Sequence, residues 1–174
     1  MEVESKYWSP GNPAVIAALN KLGAKKLSDL LMEDVYFAHP SKDFGMTDEA
    51  LRLRKKDDGA ELTYKGPRMK AVSAKAREEI TVKVEDPLNT QRILERLGFR
   101  EAHTVTKKRT AYQLDKLRVE VDVVDGLGEF VELEVMTESP ERAAALLETA
   151  RAELGLTKIE QKTYLELLIE RKDR

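Results

Sequence analysis

Stretch after stretch of this chain alternates aliphatic with long charged side chains, and that alternation restricts the fold more than any other feature. Leu51-Arg52-Leu53-Arg54 shows it most simply: in a strand the two leucines share one face and the two arginines the other. Thr63 and Lys65 point together; Arg77, Glu79, Thr81 and Lys83 oppose Ile80, Val82 and Val84; Lys107 and Arg109 share a face. Arg118, Glu120 and Asp122 lie opposite Val119, Val121 and Val123, and Glu132 and Glu134 opposite Val131, Leu133 and Val135. The chain opens in the same style, with Glu2, Glu4 and Lys6 on alternate residues of one strand. Two architectures satisfy such strands. An open sheet can pack its apolar face on helices and leave its charges in water. Alternatively, the sheet can curl so that charged faces meet inside and helices cover the outside. Eight strands closed in that way make a barrel wide enough for one small ligand.

The elements repeat. Leu19-Asn20-Lys21-Leu22-Gly23 returns as Leu94-Glu95-Arg96-Leu97-Gly98, each ending an amphipathic helix at a glycine suited to a left-handed cap. The first helix is expected from near Pro13 and the second from an N-cap at Asn89 or Thr90. Each follows a charged strand (Glu2 to Tyr7, Arg77 to Val84) and precedes an aromatic one (Val35-Tyr36-Phe37, Thr110-Ala111-Tyr112). Two alternating strands around an Asp-Gly turn then close each half, Leu51–Lys56 with Leu62–Lys65 and Leu117–Val123 with Phe130–Met136. The expectation is one domain over 1–174: repeat halves of about 1–75 and 76–136, then a C-terminal helical segment, 139–174. In that segment Ser139-Pro140 opens a helix to Leu154, and Lys162–Leu168 suits either helix or strand. Gly66–Ala76 reads as a basic loop.

Composition narrows the chemistry. Charged residues make up 36% of the 174, but 30 Lys and Arg against 32 Asp and Glu leave a net charge of −2, so the total predicts no strongly basic duplex-binding surface and leaves room only for a local basic patch. There is no Cys and there are only two His, which removes thiolate chemistry and disfavours an imidazole zinc site. No apolar run is long enough to span a membrane. The acidic pair follows directly on Met1, so no signal peptide is expected and the chain reads as cytoplasmic. Paired carboxylates on one strand face repel each other, yet they suit a hard divalent cation.

Taken in order, Glu2-x-Glu4-x-Lys6, Arg52-Leu53-Arg54, Thr63-Tyr64-Lys65-Gly66-Pro67, Lys107-Lys108-Arg109, Val121-Asp122 and Glu132-Leu133-Glu134 resemble the CYTH superfamily of triphosphate tunnel metalloenzymes. Tyr36-Phe37-Ala38-His39-Pro40, Asp43-Phe44, Thr47 to Leu51 and Gly126 to Phe130 look most like its class IV adenylate cyclase branch. The resemblance covers nearly the whole chain. It implies an α+β fold with a closed eight-stranded antiparallel barrel, helices outside and a charged tunnel. It also implies Mg²⁺ or Mn²⁺ on Glu2, Glu4, Asp122, Glu132 and Glu134, and triphosphate oxygens gripped by Lys6, Arg52, Arg54, Lys65, Lys107 and Arg109. Arg77 is a further candidate for phosphate, whereas Glu79 could simply pair with bases. Lys6, Lys107 and Arg109 are the catalytic candidates. Arg68 and Lys75 read as solvated loop residues, Tyr164 as a barrel-mouth or core residue, and His39 as a turn residue.

Conversion of ATP to cyclic AMP and pyrophosphate is the first functional expectation. Hydrolysis of thiamine triphosphate, tripolyphosphate or nucleoside triphosphates is the alternative, and a non-catalytic polyphosphate-binding module the third. The expected partner is a small-molecule triphosphate, with no nucleic acid or membrane, and the chain is expected as monomer or homodimer. No histidine or serine stands out as a nucleophile, so a metal-assisted displacement is favoured over a covalent intermediate.

Overall fold

The computed structural model describes residues 2–68, 77–136 and 139–173, with only the backbone of Glu2, Pro140 and Glu141. The expected basic loop falls outside the described residues from 69 onward, Lys75 included. The fold is α+β, built of antiparallel strands with five helices among the described residues. The order is β1 (Glu2–Trp8), α1 (Asn12–Lys21), β2 (Lys25–Ala38), α2 (Phe44–Thr47), β3 (Ala50–Lys56), β4 (Gly59–Lys65), then β5 (Glu79–Val84), α3 (Pro87–Arg96), β6 (Arg100–Leu114), β7 (Leu117–Val124) and β8 (Gly128–Met136). It ends with α4 (Pro140–Glu153), β9 (Lys158–Glu160) and α5 (Tyr164–Lys172). Strand, helix and three strands thus occur twice, with the short α2 inserted in the first round.

Two compact units result, one of residues 1–30 and 107–174 and the other of 31–106, and the chain passes between them within β2 and β6. In the first unit the strands run β6-β7-β8-β1-β9. Their apolar face carries Tyr7, Tyr112, Leu117, Val119, Val121, Val131, Leu133 and Val135, and it buries itself on Val15 and Leu19 of α1 and on Ala143, Leu147, Ala150 and Leu154 of α4. Each large aliphatic side chain withdrawn here contributes roughly 1.5–3 kcal/mol. In the second unit the order is β5-β4-β3-β2. A smaller core of Val35, Phe37, Leu53 and Leu94 forms there, with Leu51, Leu62, Val84 and Phe99 at its margin.

Three expectations need correction. There are nine strands among the described residues where eight were expected; β9, three residues long, is too short to show an alternation. Helix α3 starts earlier than Asn89: Asp86 is its N-cap, accepting from the Asn89 N–H at 2.9 Å, and Pro87 takes the first helical position, where its missing N–H costs nothing. The aromatic strands are far longer than their aromatic centres, 14 residues for β2 and 15 for β6, because their flanks carry no clean period of two. The ambiguous last segment is helix α5, fixed by a capping box in which Thr163 accepts from the Glu166 N–H and Glu166 from the Thr163 N–H. Both repeated glycines do end their helices in the left-handed region, Gly23 at φ 79° and Gly98 at φ 95°.

Candidate functional site

In the first unit the face opposite the helices is charged and buried. Lys107 is 3% exposed, Arg109 7%, Glu120 6% and Asp122 0%, so the open sheet with solvated charges does not describe it. The register explains the grouping. Arg109 lies opposite Asp122, Glu120 opposite both Ala111 and Glu132, and Lys6 opposite Glu132. Arg109 donates Nε–H to Asp122 Oδ1 at 2.7 Å and Nη2–H to Asp122 Oδ2 at 2.5 Å, the bidentate fork that a carboxylate accepts best. The same Nη2 donates to Glu132 Oε2 at 2.7 Å, and Nη1 pairs with Glu120. Lys107 Nζ stands 3.7 Å from Asp122 and Lys6 Nζ 3.8 Å from Glu132. Arg118 adds a bond from Nε to Glu120 Oε1 at 2.9 Å, so three carboxylates are met by four cations.

Tyr164, from α5, closes this group. Its hydroxyl donates to Asp122 Oδ2 at 2.8 Å, while Lys6 and Lys107 stand 4.4 and 5.0 Å from its ring centre. Phe130 packs on the Tyr164 ring with centroids 5.0 Å apart, and Trp8 on Phe130 at 4.4 Å. Burial, with Glu132 and Asp122 beside it, pushes the Tyr164 phenol well above its ordinary range, so it is a lasting hydrogen-bond donor and no base. Burial alone would raise Glu132, but Arg109, Lys107 and Lys6 hold its carboxyl well below the ordinary value.

Glu4 and Glu134 stand directly opposite each other on β1 and β8, and Arg118 is the next neighbour of Glu134 on β7. Directly opposed like charges destabilise a sheet pair. Two such pairs, Glu4 with Glu134 and Glu120 with Glu132, occur side by side. Carboxylate oxygens are what Mg²⁺ or Mn²⁺ requires, so the donor chemistry fits such a cation. The present arrangement directs Glu120, Asp122 and Glu132 at Arg109, and no group of three or more acidic or histidine side chains among the described residues is posed to hold a metal. The Glu2 side chain lies outside the described residues.

The second unit collects bases. Arg52 Nη2 reaches Thr63 Oγ1 at 3.5 Å, and Thr63 in turn meets Thr81 at 3.0 Å. The Arg52 Nε is buried without a hydrogen-bond partner. Lys65 donates to Glu79 at 2.8 Å, and Arg77 is 3.9 Å from Asp48. Burial first, and then the charge of Arg52, lower the Lys65 ammonium from its ordinary value; Glu79 opposes this and Arg77 adds to it. A lysine lowered by two neighbouring arginines sits among crowded cations, which marks a place for an anion. Arg54 differs, because Asp34 already holds it through two bonds of 2.6 Å. Arg68 binds Asp48 instead of standing free in the loop. His39 accepts the Ser41 N–H at 3.1 Å, as a turn residue does.

The structure thus assembles Lys6, Lys107, Arg109, Asp122 and Glu132 in one unit and groups Arg52, Lys65 and Arg77 in the other. Sequence reasoning passed over Glu120 and Asp34. The signal was present for both, since Glu120 alternates with Asp122 and Asp34 with Tyr36.

The family model described as CYTH domain matches residues 1–166, and the chain belongs to that family. A Methanocaldococcus jannaschii protein provisionally named an adenylate cyclase is 39% identical over 173 residues, covering 96% of this chain and 98% of its own. The solved structure of PH1819 from Pyrococcus horikoshii OT3 superposes with a TM-score of 0.84 at 34% identity, over 98% of this chain and 99% of that one. A Hippeastrum protein, described as revealing a dominant triphosphatase activity, shares the fold with a TM-score of 0.76 at 22% identity, over 98% and 96% of the two chains. Among the described residues no helix is long and apolar enough to cross a membrane.

Proposed function

We propose that this protein is a metal-dependent enzyme acting on a triphosphate, in the closed tunnel that CYTH membership implies, and that it converts ATP to cyclic AMP and pyrophosphate. The buried charged face of the first unit carries this reading. Burying charged groups on a strand face is costly, and ligand chemistry is a reason to keep them there. The name of the Methanocaldococcus relative favours a cyclase.

In this reading Glu4, Asp122, Glu132 and Glu134, with Glu2, hold Mg²⁺ or Mn²⁺, which when bound supplies positive charge against the phosphates. Arg52, Lys65 and Arg77 bind phosphate oxygens, and the unpartnered Arg52 Nε is a donor ready for one. Arg54 can join them only by giving up Asp34. Lys6, Lys107 and Arg109 are the catalytic group. A triphosphate carries about four negative charges, and these cations stabilise the charge that moves onto the leaving pyrophosphate. The Tyr164 ring keeps water from one side of Lys6 and Lys107, which strengthens their field.

Identifying the products from ATP, thiamine triphosphate and tripolyphosphate, each with Mg²⁺ and with Mn²⁺, tests the proposal. Cyclic AMP with pyrophosphate is the expected result. Orthophosphate release without cyclic AMP would place this protein with hydrolases, the activity described for the Hippeastrum relative. No turnover of any of the three leaves only a binding module.

A further inference from the structure

Arg109 is the most heavily engaged side chain of the charged face: Nε, Nη1 and Nη2 all meet carboxylate oxygens, from Asp122, Glu120 and Glu132. Two features make this an odd state for a residue expected to grip phosphate. A guanidinium presents a single planar fork, and here both its edges are taken. Glu132, expected to hold a divalent cation, spends Oε2 on Arg109 and has Lys6 at 3.8 Å from Oε1. A metal ion and this arginine therefore seek the same oxygens.

The charges sharpen the point. Glu120, Asp122 and Glu132 are already met by four cations, Arg109, Lys107, Lys6 and Arg118, so the group carries no surplus negative charge as it stands. Burial opposes the charge on Arg109, but Asp122, Glu132 and Glu120 outweigh it and hold the guanidinium well above even its ordinary value, so it cannot leave by losing its proton. It can leave only by moving. Its contacts are also unequal. Asp122 holds it through two parallel bonds from the directly opposed strand position, whereas Glu120 and Glu132 each meet it at one nitrogen.

We propose that Arg109 is an internal counter-ion that occupies the cation's carboxylates until a divalent metal arrives. Metal binding takes Glu132 Oε2 and Asp122 Oδ2 from Nη2, while the Nε–H bond to Asp122 Oδ1 stays as a hinge. The freed Nη edge and the surplus positive charge then become available to the phosphate. Arg109 in this account keeps its catalytic contact with phosphate and also orders the two ligands, cation before triphosphate. The inference rests on the metal reading of the proposed function and adds the competition to it.

Mn²⁺ binding in the absence of substrate, followed by the electron paramagnetic resonance of the free ion, tests this in the wild-type protein, Arg109→Gln and Arg109→Lys. Removing the competitor is expected to tighten Mn²⁺ binding about tenfold in Arg109→Gln, with Arg109→Lys in between, because one ammonium cannot reach three carboxylates at once. Unchanged or weaker binding by a folded Arg109→Gln overturns the inference while leaving the metal site intact. Absence of Mn²⁺ binding in all three proteins overturns the metal reading itself. Should Arg109→Gln fail to fold, the wild-type protein answers alone. The Arg109 Nη protons, followed by nitrogen-15 NMR, are expected to exchange with water at least about tenfold faster at saturating Mg²⁺, while Nε–H stays protected. Nη exchange unaffected by saturating Mg²⁺ contradicts the displacement.

Discussion

The two units use the same strand grammar to opposite electrostatic ends. On β6, β7, β8 and β1 the charged face carries acids and bases engaged with one another, locked together around Arg109 and nearly sealed from water. On β3 and β4 one base stands apart from the ion pairs: Arg52 has no carboxylate and keeps a buried nitrogen with nothing to donate to, beside a Lys65 lowered by burial and then by Arg52 and Arg77. Alternation alone specifies that a face is charged. The cross-strand register decides which charges meet, and in the proposed function that difference separates the face assigned to the metal from the one assigned to the phosphates.

The sharpest way to break the contrast is at its most crowded point. Asp122→Ala removes the two-bond fork to Arg109, the Tyr164 bond and the partner of Lys107 together. It leaves buried cations unpaired, so a loss of about 3–5 kcal/mol in urea unfolding is expected. A loss under about 1 kcal/mol would mean that the face is far wetter than its burial implies. Arg52→Ala should behave in the opposite way, with little change in stability but tripolyphosphate binding weakened about tenfold or more in calorimetry. Lys65 adds a pH signature. Its folded pKa is lowered, so its charge is present below that value and lost as pH rises through it, earlier than for an ordinary lysine near 10.5. Anion affinity should accordingly fall on the alkaline side in the wild type, and much less in Lys65→Ala. The smallest effect is expected from Tyr164→Phe, which deletes one hydrogen bond to a carboxylate that keeps its Arg109 fork. About 1 kcal/mol of stability should go.

Much of this was legible from residues alone. The two-fold order of elements, the Asp-Gly turns and the assignment of faces follow from a period of two and from glycines where φ must be positive. What stayed hidden depended on register and on short elements. Whether Glu132 meets Lys6 or slips past it is set by pairing β1 against β8, and no spacing within either strand reveals it. Asp34 shows the same limit: its two bonds withdraw Arg54 from the open bases, although Arg54 looks identical to Arg52 in the Arg-Leu-Arg run. Tyr164 sits on a segment that suited helix and strand equally. Only the capping box at Thr163 fixes it as the start of α5 and sends its hydroxyl to Asp122.

The central claim is that the opposed carboxylates of β1 and β8 serve a metal and that the reaction needs it. Turnover of ATP with Mn²⁺ by the double variant Glu4→Gln, Glu134→Gln, beside its unfolding midpoint, tests this most directly. Removal of the like-charge pair should leave the midpoint unchanged or slightly raised, while product formation disappears at any Mn²⁺ concentration. A folded double variant that retains full turnover would contradict the account.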